Sequence, residues 1–315
     1  MIAFGPVPSR RLGRSLGINN VPPKVCTYSC VYCQLGRTQN MQIERRAFNK
    51  PETVLRELET KLEDAYKAGE SVDYLTFVSD GEPTLDIHLG REIAFLKPLG
   101  IKIAVISNAS LIWRADVRSD LMAADWVSLK VDSIRRDVWH KVNRPHRALD
   151  LGSVLDGMLE FAAVYQGKLA TETMLIRDIN DRDYYLTEVA DFLSRLKPDK
   201  PYIAIPTRPP AEEWVHPAHE EVIIRAYQIF SERLDHVEYL IGYEGNAFVF
   251  TGNAEEDLLS ITAVHPMREE AVNVLLAKAN ADWSIIHKLI AENHLIETAY
   301  DGKRFYMRRL SGYQR

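Results

Sequence analysis

Residues 26–33 read Cys26-Thr27-Tyr28-Ser29-Cys30-Val31-Tyr32-Cys33, and these three cysteines are all that the 315-residue chain contains. Four explanations of the Cys-x3-Cys-x2-Cys spacing compete. A disulfide with one spare thiol suits an oxidising compartment, whereas an odd count in a reducing one argues against it. Structural zinc wants four ligands, commonly from two paired Cys or His motifs, and no histidine precedes His88. Inert buried cysteines do not account for three within eight residues of a chain that has no others. The fourth explanation is an iron–sulfur cluster. Cubane clusters ordinarily take four thiolates, so three leave one iron open, and an open metal position is what a catalytic site needs and a structural site avoids.

Around this loop the chain alternates short β-favouring runs with helical patterns. The runs are Ser15 to Asn19, Asp73 to Ser79, Ile101 to Ser107, Trp126 to Asp132, Leu169 to Ile176 and Tyr202 to Pro206. Helical spacing occupies Pro51 to Ala68, Leu151 to Tyr165, Tyr184 to Leu196 and Pro217 to Leu234, with Pro51 suited to a first turn. Alternation of this kind predicts βαβ units and a parallel sheet. Six units are too few to close an eight-stranded barrel, so the expectation is an α/β fold: a partial (β/α)6 barrel or an open sheet. In either, ligands gather at the carboxyl ends of the strands, where Asp80-Gly81-Glu82, Ser107-Asn108, Lys130 to Asp132 and Asn180-Asp181 fall.

Composition excludes other classes. Hydrophobic residues at 46% and charged residues at 26% describe a globular chain, and a formal net charge of -5 does not suit a nucleic-acid coat, although it leaves room for a local basic patch. No apolar run approaches the roughly 18 residues that span a bilayer. Nor does an apolar stretch precede Arg10-Arg11, so no secretory signal is expected and the predicted location is the cytoplasm.

The cysteine spacing, with Tyr32 before the last thiol, resembles the signature of the radical S-adenosylmethionine (SAM) superfamily. That resemblance implies a [4Fe–4S] cluster on Cys26, Cys30 and Cys33, with SAM chelated to the fourth iron by its amine and carboxylate. Reductive cleavage would then give methionine and a 5′-deoxyadenosyl radical that abstracts hydrogen from a substrate. The electron would come from a donor of flavodoxin or ferredoxin type.

Other motifs follow in the order the family implies. Asp80-Gly81-Glu82-Pro83 resembles its GGEP motif, with Asp80 in place of the first glycine and Glu82 expected to meet the SAM ammonium. A plain turn closing a strand is the alternative. Ser107 and Asn108 resemble a polar strand end that often follows. Ser128, Lys130 and Asp132 share one face by alternation and sit where ribose and carboxylate contacts are often made. Lys130 would hold a carboxylate of SAM or substrate, or pair with Asp132 or Glu172. Ile205, within Ile203 to Pro206, would flank adenine.

A closer likeness comes from Gly5 to Gly13, Asn143-Arg144-Pro145, Tyr243-Glu244-Gly245-Asn246 and Val264-His265-Pro266. These stretches look like a group of archaeal and bacterial iron–sulfur oxidoreductases similar to the catalytic core of tRNA wyosine synthase. That synthase has a second cluster on three further cysteines. Here all three are used by the first, which argues against wyosine synthesis. The Arg10-Arg11-x2-Arg14 run would hold a phosphate or carboxylate, or lie on a solvated surface.

The expected division is residues 1–252 for the barrel and 253–315 for a second domain. In the tail, helices over Glu255 to Thr262, Pro266 to Ala279 and Asp282 to Glu292 precede two strands joined at Asp301-Gly302, an outline of a winged helix. From Pro266 onward eight Lys or Arg face six Asp or Glu, five of the eight lying in the last thirteen residues. Such a module would dock RNA or a peptide for radical modification. Two other functions compete: the same chemistry on a small metabolite, and an iron–sulfur sensor whose winged helix binds DNA.

Overall fold

The computed structural model describes residues 2–309 apart from 243–247, 249, 251 and 265. The chain opens with an antiparallel hairpin, β1 (Ala3–Ser9) and β2 (Gly13–Ile18). Two short strands, β3 (Val25–Cys26) and β4 (Asn40–Met41), pair in parallel and bracket the cysteine loop. Helix α1 (Pro51–Lys67) has proline in its first turn and buries Val54, Leu58, Leu62 and Ala65 along one stripe. Burial of each such aliphatic side chain is worth about 1.5–3 kcal/mol.

Then follow β5 (Tyr74–Phe77), α2 (Leu89–Leu96), β6 (Lys102–Ser107), α3 (Ala115–Leu121), β7 (Trp126–Lys130), α4 (Arg136–Asn143), α5 (Leu151–Val164) and β8 (Lys168–Met174). The barrel part continues through α6 (Asp183–Leu196), β9 (Lys200–Ala204), α7 (Glu220–Ser231) and β10 (Glu238–Leu240).

Among the described residues eight of these strands form one sheet in the order β1-β2-β5-β6-β7-β8-β9-β10, parallel from β2 onward. This is the expected partial α/β barrel, with all six predicted strands in place. Two strands escaped the sequence reading: β1 carries Gly5, Pro6 and Pro8, which mask a strand, and β10 is only three residues long. Helices α2, α3 and α4 were likewise unforeseen, each being eight residues or fewer.

Alternation sorts the strand side chains. Leu75, Phe77, Ile103, Val105, Val127 and Leu129 pack outward on the helices. Ala104, Trp126, Ala170, Tyr202 and Ala204 form an inner cluster, and Lys130, Glu172 and Met174 continue that face to the carboxyl ends.

The tail comprises α8 (Ala254–Val264), β11 (Met267–Arg268), α9 (Glu269–Lys278), α10 (Ser284–Ala291), β12 (Leu295–Tyr300) and β13 (Lys303–Arg308). Its strands form a three-stranded sheet ordered β11-β13-β12, so β11 is added to the expected helices and hairpin. Asp301 and Gly302 both have positive φ, as a type I′ hairpin turn requires. Leu258, Ile261, Leu275, Ile286, Leu289 and Tyr306 make a separate core, against which Val7 of β1 packs. Among the described residues no helix is long and apolar enough to cross a membrane.

Candidate functional site

Cys26, Cys30 and Cys33 are free thiols, so the disulfide explanation fails. The loop that carries them is held from two sides. Ser29 N donates to the Asn143 carbonyl at 3.0 Å and Val31 N to the Val142 carbonyl at 2.9 Å, fixing the loop to the end of α4. From the other side Glu212 N donates to the Val31 carbonyl at 3.1 Å. The Glu212 carboxylate also takes two hydrogen bonds from the Arg37 guanidinium, at 2.8 and 2.9 Å, and pairs with Arg144.

All three cysteines line one cavity of about 310 Å³ at the carboxyl ends of the strands. Among the described residues no three His, Cys, Asp or Glu side chains converge on a point suited to a single ion. A zinc site needs such convergence, whereas a cubane binds each thiolate at a different iron. Burial, with the Glu82 charge adding to it, pushes the Cys26 thiol up to about 12, and burial also pushes Cys30 up. Ligation releases such protons, because the bound form is the thiolate.

Two amides serve the sulfurs. Asn108 Nδ2 lies 3.5 Å from Cys26 Sγ and donates to Thr27 Oγ1 at 2.8 Å. Asn143 Nδ2 lies 3.5 Å from Cys30 Sγ and donates to Asp132 Oδ2 at 2.7 Å. Tyr32 OH donates to the same carboxylate at 2.5 Å, and Met174 N donates to Asp132 Oδ1 at 2.9 Å. Asp132 thus braces the cysteine loop against β8 from just beyond the end of β7. Asn143 was noted in the sequence only as part of Asn-Arg-Pro; its role depends on α4 ending beside the loop.

Gly81 and Asp80 border the cavity. Glu82 does not behave as expected. It is 1% exposed, and its carboxylate accepts from Thr84 N at 3.1 Å, Thr84 Oγ1 at 2.7 Å, Ser107 Oγ at 2.7 Å and Asn108 N at 2.8 Å. These bonds tie the turn after β5 to the end of β6, and burial raises its pKa against them. Pro83 begins a buried 3-10 turn, so of the four motif residues it is Asp80 and Gly81 that face the space. Burial lifts the Asp80 carboxyl to about 7, with Lys24 and Arg308 opposing.

Lys24, missed in the sequence, has a buried ammonium without a hydrogen-bond partner, facing Cys33, Asp80 and Cys26. Burial lowers its pKa. Lys130 donates to Glu172 Oε1 at 2.5 Å, the salt-bridge alternative, and lies 4.8 Å above the Tyr32 ring. Burial alone would raise Glu172, but Lys130 and Arg11 together hold it down at about 2. Ser107 and Ser128 are buried, the former bound to Glu82. Ile205 and Tyr32 line the cavity. Tyr243 to Asn246 and His265 lie outside the described residues.

A sequence model of the Radical SAM superfamily matches residues 20–193. The chain therefore belongs to that superfamily, and the class implies an iron–sulfur cluster and SAM. Within it, the chain is 49% identical over 311 residues to the UPF0026 protein MJ1312 of Methanocaldococcus jannaschii, covering 98% of this chain and 96% of that one. Among solved structures, a radical SAM methyltransferase from Sphaerobacter thermophilus superposes with a TM-score of 0.55 at 16% identity, over 72% of this chain and 66% of that one. TYW1 with a lysine-pyruvate adduct bound superposes at 0.51 with 17% identity, over 71% and 76%. At such identities the likeness establishes the fold alone.

Proposed function

We propose that Cys26, Cys30 and Cys33 hold a [4Fe–4S] cluster whose remaining iron takes SAM, and that the enzyme abstracts hydrogen from a substrate in the adjoining cavity. When bound, the cluster supplies the electron for reductive cleavage of the sulfonium. The observation that carries this reading is the Lys24 ammonium, buried and unpartnered beside two cysteines. A buried ammonium that no hydrogen bond satisfies is costly unless anions surround it; the Asp80 carboxylate is one, and a cluster with three thiolates would be another. Asn108 and Asn143 direct N–H groups to two of the sulfurs, Asp132 fixes the loop, and Ile205 offers an apolar wall for an adenine ring. Asp80, with an unbonded carboxylate oxygen, is suited to the SAM ammonium, the part first given to Glu82.

We take residues 1–252 as the catalytic domain and 253–315 as a winged-helix-like appendage. The hairpin cations disfavour a phosphate-backbone dock: Lys303 pairs with Glu270, Arg304 with Glu269, and Arg309 donates to Asn293. The reacting group therefore belongs in the cavity, on a molecule small enough to enter it. A second reading, an RNA or peptide brought by the tail, is favoured by Tyr300, whose hydroxyl reaches the Pro206 carbonyl at 3.1 Å beside the cavity.

The test is anaerobic reconstitution followed by SAM and dithionite. 5′-Deoxyadenosine is the expected product, and Cys26→Ala, Cys30→Ala and Cys33→Ala should each lose the visible iron–sulfur absorbance. A fully reduced cluster that leaves SAM intact would favour the sensor function instead.

A further inference from the structure

The cavity wall has two origins. The cysteine loop, Lys24, Asp80, Lys130 and Glu172 fall within the span matched to the superfamily, residues 20–193. Arg10 and Arg11 come from the turn between β1 and β2, and Pro206 to Arg208 from beyond the end of β9, all outside that span. Chemistry shared by a superfamily belongs to the first half; what distinguishes one substrate from another belongs to the second. We infer that this outer half is an oxyanion subsite in which Arg11 receives a carboxylate or phosphate group of the substrate. The inference rests on the radical reading of the same cavity.

Charge supports it. Among the described residues the cavity is lined by Arg11, Lys24 and Lys130 against two carboxylates, Asp80 and Glu172, while Arg10 and Arg208 also line it and have partners of their own. Arg11 is only 14% exposed and shares Glu172 with Lys130, two cations on one anion. Its bond to Glu172 uses one Nη1 proton, and Nε has no partner. A guanidinium with an unused donor, sharing its one carboxylate with a second cation, matches the planar fork that oxyanions accept.

There is also room. A second chamber of about 160 Å³ adjoins the first, shares Arg11, Leu35 and Asp80 with it, and adds Ser9 together with Ser15 and Thr76, whose hydroxyls bond each other at 2.6 Å. The third arginine of the run, Arg14, pairs with Glu70 and is half-exposed, away from both chambers. The sequence run thus divides between two cavity residues, Arg10 and Arg11, and one surface residue, Arg14.

Reconstituted full-length protein is titrated calorimetrically with inorganic phosphate and, separately, acetate, in low salt, with and without SAM. Wild type should bind one of them whether or not SAM is present. Preference for phosphate marks a phosphorylated substrate, and preference for acetate a carboxylic acid. Arg11→Gln should weaken binding about tenfold or more. Arg11→Lys, which keeps the partner of Glu172 and so the fold, should weaken it by about threefold, and Arg14→Gln should match wild type. Unchanged affinity in both Arg11 variants, or no anion bound by wild type, overturns the subsite. It is equally overturned if SAM displaces the anion and Arg11→Gln loses affinity for SAM, since Arg11 would then hold the cofactor. Absence of 5′-deoxyadenosine with anion binding intact would retire the radical reading alone and leave the Arg11 contact supported.

Discussion

Gly81 lies so close to the main chain of Val25 that a Cβ at position 81 would fall 1.9 Å from the Val25 carbonyl oxygen. That carbonyl also accepts from Glu82 N at 3.1 Å, and the next residue is the first cysteine. The glycine is needed for proximity, not for an unusual φ. Gly81→Ala must push the turn after β5 away from β3. An overpacked site of this kind loses about 1–3 kcal/mol of stability. Denaturant titration should read that loss, and reconstitution should give less cluster per chain than wild type, because the displacement begins at Cys26.

Asn108 directs its amide at Cys26 Sγ, and such a bond favours the reduced, more negative cluster. Asn108→Ala should therefore assemble the cluster yet lower its reduction potential. If about 1 kcal/mol is lost, the shift is about 40 mV for one electron. Redox titration followed by electron paramagnetic resonance measures it, and a potential equal to wild type would remove the proposed tuning.

Glu212 fastens the cysteine loop from the side opposite α4, through Arg37, Arg144 and its own backbone N–H. Glu212→Ala leaves the backbone bond and removes both ion pairs. The loop should then open more often, and the reconstituted cluster should bleach several-fold faster in air, followed by its visible absorbance. Arg37→Ala, removing one partner that is largely exposed, should have the smaller effect.

Glu92 of α2 is buried, with one carboxylate oxygen unpartnered and the other accepting from Asn20 at 3.3 Å. Burial, with the Asp86 charge adding, raises its pKa from the ordinary 4.5 to about 8. A carboxyl raised in the folded state is protonated there while the unfolded chain has already ionised, so its stabilising contribution is complete below pH 4.5 and is lost as pH rises through 8. The slope approaches about 1.4 kcal/mol per pH unit in that window. Glu92→Gln should flatten the dependence, as urea unfolding of the apo-protein at pH 6 and pH 8.5 would show.

The order of strands and helices was legible because alternation and helical spacing are local properties of the chain. All six strands read from the sequence appear, as do α1, α5, α6 and α7 with ends within a few residues. The cysteine triplet was equally legible as a motif, since its members lie close in sequence and their spacing is local. Gly81-Glu82-Pro83 was legible as a motif, but the four internal donors to Glu82 were not: they depend on where the end of β6 lies beside it.

Lys24, Asn143 and Glu212 carried no comparable signal, and the arginine run that includes Arg11 suggested an anion without showing its partner. Each acts on a partner reached through space: Lys24 on the cysteine sulfurs and Asp80, Asn143 on Cys30 and Asp132, Glu212 on Arg37 and Arg144, and Arg11 on Glu172. The chain's own text therefore determined the fold class and the cysteine triplet on which the superfamily reading rests. The shape and charge of the cavity were decided only when the sheet curled and brought separate strand ends together, because electrostatic and hydrogen-bonding partners are chosen by distance in space and not along the sequence.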